Sequence, residues 1–145
     1  AANALDDYEE GTFTPTVEFG GGTTGITYSR QEGHYTIVGR MVTAMIRITL
    51  TSKGSDTGAM TITGLPANPG NLFSSTGIDG HCFLALQDGF DATNIGGRPV
   101  AAYVESSSDS VKLQHRNSSA ATSVVADHDI TNSFSVAITC IYAKA

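Results

Sequence analysis

The chain has no tryptophan, two cysteines, four prolines and few basic side chains. Eight lysines and arginines stand against fourteen aspartates and glutamates, a formal net charge of −6. The basic residues are scattered, so the clustered Lys/Arg that phosphate binding requires is missing, and nucleic acid is excluded as a partner. An anionic membrane surface is excluded on the same ground. No apolar run approaches the roughly 20 residues of a membrane-spanning helix, so membrane insertion is not expected. No signal-peptide pattern opens the chain. The start, Ala1-Ala2-Asn3-Ala4, reads as a cut boundary, and a longer chain upstream is expected.

The two cysteines, Cys82 and Cys140, each lie in a strand-like run. A domain of this size needs no covalent staple. They are therefore read as buried free thiols acting as small hydrophobes, with a disulfide as the alternative. Helix is scarce as well. Gly, Pro, Asn and Asp breakers recur every ~10–15 residues and leave no room for a long amphipathic helix.

What is present is period-2 alternation over a chain of 145 residues, the length of one domain with a real core. Phe13, Pro15, Val17 and Phe19 fall on one face, with Thr12, Thr14, Thr16 and Glu18 on the other. Val42, Ala44, Ile46, Ile48 and Leu50 form a second apolar face, opposed by Thr43, Met45, Arg47, Thr49 and Thr51. Phe134, Val136, Ile138, Cys140 and Tyr142 form a third. Shorter strands are expected at 26–30, 59–63, 78–87, 100–105, 110–116 and 122–126. Turn signals separate them: Gly20-Gly21-Gly22, Lys53 to Asp56, Pro66 to Asn71, Asp88-Gly89, Gly96-Gly97 and Ser106 to Asp109. The pattern predicts an all-β fold, an antiparallel β-sandwich of jelly-roll type or a barrel. Within a strand drawn from 34 to 51, apolar positions are odd before Gly39 (Tyr35, Ile37) and even after it (Val42, Ala44). That change of phase predicts a bulge or bend near Gly39–Arg40.

Several motifs match chemistry in letters but not in context. Gly20 to Gly25 fits G-x-G-x-x-G, yet Ile26-Thr27-Tyr28-Ser29 continues as strand where a pyrophosphate cradle needs a helix. Asp56-Thr57-Gly58 fits an aspartic-protease signature, but turn residues precede it where an apolar strand should. Asp127-His128-Asp129 lacks a nearby second His or Cys, which makes it a poor metal site and a solvated turn by preference. Asp6, Asp7, Glu9 and Glu10 sit in a connector rather than across a cleft, so they are not a glycosidase pair. Asn117-Ser118-Ser119 fits a glycosylation acceptor that matters only in a eukaryotic secretory host. No catalytic residue, metal site or cofactor is assigned, and no enzymatic activity is expected.

Two positions suggest binding surfaces. Tyr103 and Glu105 share the polar face of Val100 to Glu105, and an aromatic plate beside a planar polar group suits a sugar. The alternative for Tyr103 is contact with its own sheet edge or a sister subunit. Met45 and Ile141 interrupt otherwise polar strand faces, as expected where a sister subunit covers them.

One stretch carries a family resemblance. Leu5-Asp6-Asp7-Tyr8-Glu9-Glu10-Gly11-Thr12-Phe13-Thr14-Pro15-Thr16 resembles the segment that opens C-terminal domains in tail fibres and tailspikes of tailed bacteriophages and prophages. Gly25 to Ser29, Gly33 to Gly39, Arg47 to Gly54 and Ile62 to Pro66 continue the likeness, which covers about residues 5–70. Phe13 stands where the family more often has Trp. The resemblance implies a trimeric, jelly-roll-like domain in the phage tail, made in the bacterial host cytoplasm. It also implies that the domain trimerises, recognises bacterial surface polysaccharide, or both. It supplies no functional residues. Residues 1–11 are then an acidic connector from an upstream fibre or tailspike region, and 12–145 the tip domain. The competing classes are a structural trimer cap without ligand and a glycan hydrolase or esterase.

Overall fold

The computed structural model describes residues 7–71, 77–105, 108–116, 119 and 121–145. Residues 1–6 of the expected connector, Ser106 and Ser107 of one expected turn, and Asn117 and Ser118 of the glycosylation triplet lie outside them.

Among the described residues, ten strands form one hydrogen-bonded antiparallel sheet. They are β1 (Tyr8–Phe13), β2 (Thr16–Phe19), β3 (Ile26–Val38), β4 (Met41–Lys53), β5 (Met60–Thr63), β6 (Ile78–Phe90), β7 (Val100–Glu105), β8 (Val111–Arg116), β9 (Thr122–Val124) and β10 (Ile130–Ala143). The order is β1-β3-β4-β10-β6-β7-β8-β5-β2, with β9 beside β8. A one-turn helix, α1 (Ala92–Ile95), follows β6 and is capped by the Asp91 carboxylate, which accepts the Thr93 N–H. The all-β, antiparallel expectation holds, and its layers are parts of one curled sheet.

The curl follows from burial. Val17, Ile46, Ile48, Ile62, Val104, Leu113, Val136 and Ile138 come from strands along the whole sheet, yet all are buried in one core. A sheet whose single apolar face makes one core must wrap around it. The chain closes the wrap. β1 and β2 lie at opposite ends of the strand order but are joined only by Thr14 and Pro15. Pro15 has no N–H to offer a ladder and marks the switch. At that seam two side chains of β3 take over from the backbone. Gln31 Nε2 donates to the Pro15 carbonyl at 2.9 Å and the Val17 N–H donates to Tyr28 Oη at 2.9 Å. Backbone groups left without a strand partner are thereby satisfied.

Four sequence expectations need correction. The stretch from 34 to 51 is two strands joined by a two-residue hairpin turn at Gly39-Arg40, with Val38 opposite Met41. Such a turn places Ile37 opposite Val42, so it reverses the parity of the apolar positions just as a bulge would. Gly39 has φ +60°, as the primed turns of tight hairpins require. The first strand begins at Tyr8 rather than Thr12, because Tyr8 to Gly11 pair with Val38 to Tyr35. Asp88-Gly89 is not a turn but lies inside β6, where the pairing with β10 changes register.

The fourth correction concerns the cysteines. Cys82 of β6 and Cys140 of β10 are directly opposite one another, with Cα atoms 4.0 Å apart, and form a disulfide. The free-thiol reading fails because it could not see the register that brings residues 58 apart in sequence into one cross-strand pair.

Candidate functional site

The outward face of β4, β10 and β6 carries the largest departure from a polar surface. Register sets its composition. Met45 pairs with Thr139 and Thr43 with Ile141. Across the other ladder Thr139 pairs with Phe83, Ile141 with His81 and Ala137 with Leu86. Met45, Phe83, Leu86 and Ile141 therefore point the same way on three adjacent strands. They are 50%, 79%, 39% and 47% exposed. Phe83 is the most exposed large apolar side chain among the described residues. Exposed apolar side chains grouped in this way mark interaction sites on soluble domains.

Met45 and Ile141, singled out from the sequence, thus sit on one face in diagonal relation across β4 and β10. Phe83 and Leu86 were missed. The run His81-Cys82-Phe83-Leu84 alternates, but its inward side is identified only once Cys82 is paired to Cys140. Between Ala137 and Ile138 the β6 ladder shifts by one residue. A shallow depression of about 270 Å³ opens there, lined by Glu32, His34, Met45, Arg47, Ala85 and Ala137. A second, of about 390 Å³, adjoins it and shares His34 and Met45.

Tyr103 lies farther along the same outward row, between His81 of β6 and Lys112 of β8. It is half-buried, and that burial raises its phenol above the usual tyrosine range. Glu105 is already engaged: its carboxylate accepts Lys112 Nζ and Ser108 Oγ. The structure therefore keeps the two residues on one strand face but ties Glu105 to protein partners.

The other motifs resolve into structure. Asp56 Oδ2 accepts the Thr24 N–H at 2.6 Å, so the protein's own carboxylate takes an amide of the glycine loop. A side chain at Gly22 would collide with that carboxylate. The dinucleotide-like loop and the protease-like Asp are thus the two halves of one turn–turn contact. Glu9 and Glu10 accept the hydroxyls of Tyr35 and Tyr8 and raise both phenols.

Asp127-His128-Asp129 is not a solvated turn. It forms a short 3₁₀ turn in which Asp127 Oδ1 accepts the Gly58 N–H at 2.7 Å and Asp129 Oδ2 accepts the Ala126 N–H at 2.9 Å. Asp129 is buried, and two histidines approach it: His115 Nε2 at 3.7 Å and His128 Nε2 at 3.5 Å. The sequence could not supply His115, which arrives from β8. Among the described residues no group of three or more His, Cys, Asp or Glu is arranged to hold a metal ion. Among them, too, no helix is long and apolar enough to cross a membrane.

The fold and this face define an all-β domain that presents apolar side chains on the outside of a curled sheet. The same fold occurs in the crystal structure of the Dettilon tailspike protein (gp208), at TM-score 0.70 and 15% identity, over 93% of this chain and 23% of that one. This chain spans less than a quarter of that neighbour's length. No protein-family model matches the chain, and no curated protein sequence matches it.

Proposed function

We propose that this domain belongs to a phage tail fibre or tailspike, where it holds three copies of the chain together and meets bacterial surface polysaccharide. The observation that carries the reading is the outward face of Met45, Phe83, Leu86 and Ile141 on a fold shared with a tailspike domain. A monomer gains nothing from a phenylalanine that is 79% exposed. Closed symmetric assembly covers such a face on every copy at once. The acidic lead-in Tyr8-Glu9-Glu10-Gly11 is part of an edge strand in this arrangement.

Polysaccharide contact is assigned to the outward surface that the apolar face leaves free. Tyr103 is the plate and Lys112 and His81 are its polar neighbours. Glu105 would join only by exchanging its bond to Ser108 or Lys112. The domain acts by binding, not by catalysis. A cap without ligand is the second reading, favoured by the engagement of Glu105. Light scattering on the purified chain is expected to give about three times 15.1 kDa. A glycan array then separates binder from cap. A stable monomer at micromolar concentration overturns assembly, and a blank array beside normal assembly leaves the cap.

A further inference from the structure

Glu32 and Arg47 stand directly opposite each other on the outward side of β3 and β4. Opposite charges in that position are about 5 Å apart at Cβ and ordinarily pair. Here they do not. No ion pair joins them within 4.0 Å, and among the described residues neither side chain has a hydrogen-bond or ion-pair partner. Both are exposed and both line the depression beside Met45, at the rim of the apolar face. An unpaired carboxylate and an unpaired guanidinium thus flank the patch that a partner would cover.

We propose that Glu32 and Arg47 form a charge clasp between copies of this chain, with Glu32 of one copy meeting Arg47 of the next. The inference rests on the assembly reading above and names the contact that sets its register. A second copy is the occupant that fits because it necessarily brings the complementary pair to the same rim. The need for such a contact follows from net charge. Each copy carries −6, so copies repel at long range, and an apolar face alone fixes no orientation. Complementary charges at the rim suppress wrong registers, because like charges brought together there oppose association. In a ring of three the contact is heterologous, with residue 32 of each copy meeting residue 47 of the next around a rotation that closes.

The test uses the whole chain and the variants E32R, R47E and E32R/R47E, with assembly followed by light scattering over a dilution series. Each single variant sets like charges against each other across the contact. Each is expected to raise the dissociation midpoint by about tenfold or more. The double variant restores the pairing with reversed sign and should return to within a few-fold of the parent. Mixing the two single variants isolates the contact between copies. E32R supplies two arginines and R47E two glutamates, so a mixed neighbour pair is complementary. In a ring of three, one like-charged contact always remains, and the rescue is therefore partial. Thermal unfolding of the monomers should shift only slightly in the single variants, which set like charges across one exposed β3–β4 pair, and return to the parent value in the double variant. If the parent assembles while single variants assemble equally well, the clasp is wrong and the assembly reading stands. Failure of mixing to raise the assembled fraction above either variant alone also overturns it. If the parent itself is monomeric throughout, the assembly reading has failed first.

Discussion

Cys82 and Cys140 face each other across β6 and β10 and are joined by a disulfide directly behind the apolar outward face. Their flanking residues point the other way: Phe83 beside Cys82, and Ile141 beside Cys140. The bond therefore fixes the register of the two strands on which the exposed apolar side chains stand. No thiol is expected to react under denaturing, non-reducing conditions. Cross-linking residues 58 apart removes loop entropy from the unfolded chain worth about 4 kcal/mol on the chain-entropy model. The C82S/C140S variant should lose stability of that order in urea unfolding. Two reactive thiols in the parent, or an unchanged midpoint in the variant, would count against the bond.

Phe83 gives the sharpest separation of assembly from folding. At 79% exposure its replacement should alter monomer stability by no more than about 0.5 kcal/mol. Phe83→Glu places a charge on the face and is expected to abolish association at micromolar concentration. The matched control is Val136→Ala, wholly buried in the core. It should cost about 1–3 kcal/mol of stability through the cavity it leaves, and weaken assembly only through that loss. If Phe83→Glu assembles like the parent, the outward face is not the interface.

The two substitutions also mark what the sequence shows and what it hides. Alternation alone places Val136 inward and Met45 and Ile141 outward, because period 2 is a property of one strand. Phe83 needs the pairing of β6 with β10, which no local pattern encodes. The same limit explains the cysteines. It also explains Gly39, where the reversal of parity was visible but a two-residue hairpin and a bulge leave the same trace. His115 beside Asp129 is the fourth instance, since β8 and the 3₁₀ turn meet only in the closed sheet. Local periodicity therefore yields the fold class and half of the face, while features that depend on register between distant strands need the structure.

Alkaline pH should destabilise the domain in a definite window. All five tyrosines have phenols raised above their usual value. Tyr142 is pushed furthest, to about 12, chiefly by burial. Its hydroxyl donates to the Ala67 carbonyl at 2.9 Å. A raised folded value means that the unfolded chain releases its proton first. Between pH 10 and about 12 the unfolded state then binds fewer protons, and stability falls as pH rises. Below pH 10 the contribution is fully present. Urea midpoints measured from pH 8 to pH 11.5 should decline above 10. Tyr142→Phe should flatten the decline while costing about 1 kcal/mol at neutral pH for the lost hydrogen bond. A slope left unchanged by that substitution would assign the alkaline loss elsewhere.

Asp56 provides the last case, because its role separates a motif from its chemistry. The carboxylate accepts the Thr24 N–H at 2.6 Å and packs so closely on Gly22 that a side chain there would have to displace it. Gly20 and Gly22 are thus explained by the approach of the neighbouring turn and Gly21 by its φ of +87°, without any bound phosphate. Asp56→Asn keeps the shape and one acceptor oxygen but removes the charge from the hydrogen bond. It is expected to cost about 1 kcal/mol, and Asp56→Ala about 2, as for a charge-assisted bond lost in part and then wholly. Because the contact is exposed, both effects should shrink as salt rises and screens the carboxylate. Binding of a nucleotide or of inorganic phosphate to either variant should match the parent, at no measurable level. Phosphate binding that depends on Gly20 to Gly25 would instead restore the cradle reading and remove the structural one.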